Sequence, residues 1–224
     1  MIALVIASGP SLNDYRDKLR DQASLIANAR KRGLVVICVK SAFNALEGQP
    51  FDVWLYNNIN PSSVIPTACS RKVFVGPKQY QGILPDSKVM TVDFYRGLQD
   101  TMAVTGQWEE IKGACKSGSI RWGPGIMYEG VFPLCHSLGA TSIYVIGWDM
   151  YPPGGFSGAH FDGSYGPKSD ALTVEAEIIR EKAPAACKFM GSLGIAVKHI
   201  GGEKSHVDIP SVPWEDFLDN LRTL

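Results

Sequence analysis

Residues 2–39, IALVIASGPSLNDYRDKLRDQASLIANARKRGLVVICV, decide how this chain folds. Residues 2–7 are an apolar run short enough for a buried strand, and Gly9-Pro10-Ser11 closes it with turn residues. From Asn13 to Arg32, Tyr15, Leu19, Ala23 and Ile26 recur at three- and four-residue steps between charged residues, and Gly33 supplies a stop. Residues 34–39 form a second continuous apolar run. The pattern predicts a strand, an amphipathic crossover helix and a second strand. Neither strand alternates between apolar and polar residues, so both look covered on two faces, and parallel pairing is the natural outcome.

The rest of the chain extends this unit. Short strands are predicted at Val53–Asn57, Lys72–Val75 and Lys88–Asp93, with connections too short for long helices. Residues 94–122 break the rhythm with Gly, polar and aromatic residues and at most a short helix around Gln107–Lys112, which reads as a lid or acceptor-facing insertion. Regularity returns with a helix from about Pro124 to Leu138 and a strand at Ser142–Gly147. After a loop through Lys168, a helix is expected over Ser169–Leu193, kinked or split by Pro184. A strand at Ile195–Ile200 and a helix from Trp214 follow. The alternation predicts one Rossmann-like α/β domain over 1–224, a mostly parallel sheet with helices on both faces.

Composition limits the function classes. With 45% hydrophobic and 20% charged residues, 224 residues can bury a substantial core. Lys plus Arg balances Asp plus Glu at 22 each, so no global basic excess holds nucleic acid or an anionic membrane. The opening MIALVIASGP has no charged leader region and breaks at Gly9-Pro10 before it could span a bilayer, so a soluble protein without a membrane span is expected. Five scattered cysteines show no metal-ligand spacing and read as reduced core thiols in a cytoplasm.

Ligands of such sheets bind beyond the carboxyl ends of the strands, where three segments carry chemistry. Ser8-Gly9-Pro10-Ser11-Leu12 combines a glycine that permits close backbone approach, serine hydroxyls and a helix start facing phosphate. An ordinary turn capped by Ser11 or Asn13 explains it equally well. Neither GxxxxGK[ST] nor GxGxxG occurs, which disfavours a Walker-type NTPase and a standard dinucleotide-binding turn. Ser41 and Asn44, then Tyr56-Asn57-Asn58, offer hydroxyl and amide groups that can read a base or ribose or serve as turn caps. The third segment brings Asp149, Tyr151, His160 and Asp162 past one strand end. Asp149 could bind a ribose, a metal or a catalytic histidine, or cap a turn. His160, in a Gly-rich loop, suits general acid–base work, whereas His136 lies within a helix and reads as structural. His199 and His206 flank Gly201-Gly202 without a third ligand, and no metal site is assigned.

IASGPSL, LYNN, RWGPG and LGATSIYVIGWDMY with a later histidine resemble bacterial family-42 sialyltransferases. They are equally similar to the broader clan of motility-associated nonulosonate transferases and 6-hydroxymethylpterin diphosphokinase-like proteins. The resemblance implies that Gly9, Pro10 and Ser11 approach the donor phosphate and sugar and that Asn57 contacts the nucleotide. Arg121, four residues before Gly125, matches an arginine beside an acidic sugar. Tyr151 matches a tyrosine that steadies the leaving phosphate, a role that replaces a metal by neutral donors. His160 matches the base for the acceptor hydroxyl. Departures are the missing asparagine at Val39-Lys40-Ser41, Gly123-Pro124 where Thr-Ser is usual, and a short loop from Asp149 to His160 that resembles the motility-associated and pterin branch.

These readings imply a metal-independent, inverting glycosyltransferase with no cofactor and a nucleotide-sugar donor, CMP-linked in the sialyltransferase likeness. Glycan, lipid, protein and modified nucleic-acid base stay open as acceptors, as does a homo-oligomer. The alternatives are a pterin-type pyrophosphokinase using ATP and Mg²⁺ held by Asp149 and Asp162, and a non-catalytic nucleotide-binding protein.

Overall fold

The computed structural model describes residues 1–56, 65–74, 89–90, 126–149, 183–184, 186–201 and 208–224. Among these, eight strands form one sheet: β1 (Ile2–Ile6), β2 (Leu34–Val39), β3 (Phe51–Tyr56), β4 (Cys69–Phe74), β5 (Val89–Met90), β6 (Ser142–Ile146), β7 (Ala196–Ile200) and β8 (Ser211–Val212). Their order is β5-β4-β3-β2-β1-β6-β7-β8, and every neighbouring pair is parallel. The expected α/β fold is therefore present.

The sequence of β1 explains its place at the centre. Ala3, Val5 and Ala7 belong to the core on one face of the sheet, while Leu4 and Ile6 belong to the core on the other. Burying each large aliphatic side chain stabilises by roughly 1.5–3 kcal/mol. That gain offsets a backbone ordering cost of about 1–2 kcal/mol per residue. A strand apolar at every position gains most where both faces are covered, between β2 and β6.

Helices cover both faces. On the side of Leu4 and Ile6 lie a 3₁₀ turn at Pro10–Tyr15, α1 (Arg16–Asp21), α2 (Ala23–Arg30), a second 3₁₀ turn at Lys40–Leu46 and the carboxyl-terminal helix. On the side of Val5 lie a π-helical turn at Met127–Val131, α3 (Phe132–Ser137) and the helical residues 186–192. The carboxyl-terminal helix, α4 (Trp214–Thr223), buries Trp214, Phe217, Leu218 and Leu221, with the Phe217 ring 5.1 Å from Tyr144 of β6.

Several predicted boundaries shift for identifiable reasons. The single helix expected over Asn13–Arg32 begins at Pro10, whose fixed φ suits a first helical position, and breaks at Gln22. Strand β4 begins at Cys69, before Lys72, because β3 beside it supplies a ladder from Phe51 to Tyr56. Strand β8, too short to show periodicity, exists by pairing His199 with Ser211 and Ile200 with Val212. The expected lid over 94–122 and the amino-terminal part of the helix over 169–193 lie outside the described residues.

At the amino ends of the strands, Arg30 grips Asp52 with Nε to Oδ2 at 3.0 Å and a second contact at 2.6 Å. Asp52 also accepts the Val36 amide at 2.8 Å. This half-buried bidentate pair pins α2 to β2 and β3 at the end of the sheet away from the strand carboxyl ends. Its role is structural.

Candidate functional site

From β1 the chain moves through β2 to β5 in one direction, then returns to place β6 on the other side of β1. The carboxyl ends of β1 and β6 therefore lie where the winding reverses, the usual ligand position in open parallel sheets. The Gly9-Pro10-Ser11 turn leaves β1 there, and Gly147-Trp148-Asp149 leaves β6.

These turns are laced together. The Ala7 amide donates to the Ile146 carbonyl at 2.8 Å, and the Gly9 amide donates to Gly147 at 2.7 Å. Ser8 Oγ donates to the Val39 carbonyl at 3.0 Å, which ties the end of β1 to that of β2. Asp149, 7% exposed, reaches back to Ser11. Its Oδ2 accepts the Ser11 amide at 2.7 Å, and its Oδ1 accepts the Ser11 hydroxyl. The carboxylate is thus an internal anion at the first backbone donors of the 3₁₀ turn.

This geometry revises the reason for the glycine. Gly9 has φ −70° and ψ 162°, extended backbone open to any residue. A Cβ at this position would meet Asp149 Oδ2 at 2.5 Å and collide with the Gly147 carbonyl. The close approach that Gly9 permits is that of the neighbouring turn. Gly147 has a left-handed φ of 74°, and a side chain there would strike the Ala7 carbonyl. Two glycines let the turns touch.

Two residues that sequence reading left out of the site join this end of the sheet. His199, on β7, is 1% exposed, and its Nε2 lies 3.9 Å from Asp149 Oδ1. Neither imidazole nitrogen has a hydrogen-bond partner among the described residues. Its signal was a histidine next to Lys198 in the strand AVKHI, legible only once β7 is paired beside β6. Lys40 leaves β2 with φ 53°, in the left-handed region that glycine favours, and its carbonyl accepts Trp54 Nε1 at 2.8 Å. No feature of a lysine announces that conformation.

Burial holds the pKa of His199 below its ordinary value, an effect that outweighs the nearby Asp149 carboxylate. The unfolded chain therefore binds this proton first as pH falls. The stability contribution is full above the unfolded pKa of about 6.5 and is lost as pH falls from there through the lowered folded value. Urea unfolding between pH 8 and 5 should show this loss in the wild type and a flatter profile in His199→Phe. Identical profiles would exclude His199 as the source.

The remaining candidates divide plainly. Pro10 and Ser11 sit on the turn after β1, with Pro10 exposed and Ser11 buried. Ser41 and Asn44 lie on the 3₁₀ turn after β2, Asn44 exposed and its carbonyl accepting Glu47 N–H. Tyr56 ends β3, stacked 4.2 Å from Trp54, its hydroxyl pKa pushed up to about 12 by burial. Asn57, Arg121, Gly125, Tyr151, His160 and Asp162 lie outside the described residues, as does His206. His136 lies on α3.

Burial raises the pKa of Cys38, Cys69 and Cys135, and pushes Cys187 to about 12. These thiols stay protonated near neutral pH, which suits core residues and not nucleophiles. No cluster of three His, Cys, Asp or Glu side chains that could hold a metal occurs among the described residues. Likewise no described helix is long and apolar enough to cross a membrane.

No protein-family model and no curated protein matches this chain.

Proposed function

We propose that this chain is a glycosyltransferase that moves a sugar from a nucleotide-activated donor to an acceptor hydroxyl by a metal-independent inverting displacement. The observation that carries the reading is the meeting of the Gly9-Pro10-Ser11 and Gly147-Trp148-Asp149 turns at the reversal of strand order between β1 and β6. The resemblance of those two stretches to sialyltransferase-like proteins supplies the reaction class.

In this reading the donor lies across the strand ends. Because Asp149 already engages both the amide and the hydroxyl of Ser11, the pair shapes the floor of the proposed site. The donor's negative charge then falls to Arg121, and Tyr151 steadies the departing phosphate by hydrogen bonding. His160 takes the acceptor proton as the hydroxyl attacks the anomeric carbon.

Thermal-shift and calorimetric measurements against CMP, UDP, GDP and ATP test this directly. The expected result is binding of a nucleotide or its sugar conjugate that survives EDTA, together with donor turnover. ATP binding with activity abolished by EDTA would replace the proposal with a pyrophosphokinase. Binding without turnover across a broad donor panel would leave a non-catalytic nucleotide-binding protein, and no binding would overturn the reading.

A further inference from the structure

We infer that His199 is a positioning residue for Asp149, donating from Nε2 to Oδ1 and so holding the carboxylate on Ser11 and fixing the shape of the β1 turn. The inference rests on the proposed ligand site at the strand ends and adds a residue to it.

A buried polar group without a partner is destabilising, so an imidazole at 1% exposure with both nitrogens unpartnered among the described residues calls for a reason. A phenylalanine of similar shape would pack there without that cost. The imidazole stands beside a carboxylate that, among the described residues, accepts the amide and hydroxyl of Ser11. At 3.9 Å the approach is longer than a hydrogen bond, and the proposed contact needs the two side chains to draw together to about 3.2 Å or less.

The surrounding backbone makes the imidazole a fixed reference. The His199 amide donates to the Pro210 carbonyl at 2.8 Å, and its Cα pairs with Val145 on β6 and Ser211 on β8. Two residues on, Gly201 has φ 69°, and a side chain there would collide with the Tyr15 hydroxyl. Tyr15 ends the 3₁₀ turn that Ser11 belongs to, and its ring lies 5.6 Å from Trp214. The end of β7 therefore meets the β1 turn at two points, by contact at Tyr15 and Gly201 and, in this inference, by the His199 hydrogen bond through Asp149. The first fixes where the turn lies, and the second fixes where the Ser11 donors point.

The test compares His199→Phe, which keeps volume and removes the donor, with His199→Gln, which keeps a donor near the Nε2 position. The His199→Phe protein is expected to fold, because the side chain keeps its volume in a buried position of β7. Its Ser11 amide should nevertheless exchange hydrogen about tenfold faster, and its affinity for the nucleotide bound by the wild type should fall about tenfold, the usual scale for a supporting hydrogen bond. His199→Gln should restore both. Unchanged Ser11 exchange in His199→Phe overturns the inference, as does equal loss in both variants. Amide exchange needs no ligand, so it decides the role of His199 even if every nucleotide fails to bind and the proposed function falls.

Discussion

Gly9→Val is expected to destabilise the fold itself. The backbone at Gly9 is in an ordinary extended conformation, so the penalty comes wholly from contact. A Cβ would press on the Gly147 carbonyl and Asp149 Oδ2, and valine adds two further methyl groups in the same space. The Gly147 carbonyl accepts the Gly9 amide and cannot retreat without breaking that bond. Overpacking of this kind costs about 3 kcal/mol when backbone must move. For a domain of this size that lowers Tm by roughly 6–12 °C. Gly191→Ala is the control, because a Cβ there meets nothing within 4 Å and no left-handed φ is involved. Urea unfolding should separate the two variants clearly. A Gly9→Val protein of wild-type stability that has lost only nucleotide affinity would instead restore the glycine to direct phosphate contact.

Under the proposed function, His160→Ala is expected to lower kcat by roughly 10²–10⁴-fold, the scale of one positioned general base. A sugar acceptor hydroxyl is a poor nucleophile near neutral pH, and a transferase without a metal needs a group that titrates close to that range. Two of the other three histidines lie within described elements of the fold. His136 lies on α3 and His199 is sealed beside Asp149. Donor affinity should stay nearly intact in His160→Ala, and the acidic limb of kcat/KM should vanish. Loss of donor binding would make His160 a phosphate ligand, and full transfer would remove it from the reaction.

The two core faces were legible in the sequence because β1 and β2 are apolar at nearly every position. No partly exposed placement satisfies such a run, so a central parallel pair follows from residue type alone. Asp149 was legible as a strand-end residue for the same reason, since the apolar run that precedes it fixes where β6 stops. Its partner was not. Ser11 and Asp149 are 138 residues apart in sequence, and each alone reads as a turn cap. Periodicity reports how a residue sits on its own element and carries no information about which element lies opposite.

The glycine argument shows the same boundary. Sequence identified Gly9 as a place where something approaches closely, because only glycine leaves that space. Only the packed sheet decided what approaches, the carbonyl of a second glycine and the carboxylate of Asp149. His199 was the reverse case, a residue set aside because no metal spacing surrounded it and brought to the strand ends by parallel pairing of β7 with β6. By itself, then, the sequence determined the apolar strands and the parallel α/β sheet, since burial of apolar runs is a local demand on residue type. The tertiary structure alone decided the contacts of Ser11, Asp149 and His199, since these depend on strand order and register, which bring distant turns within hydrogen-bonding reach.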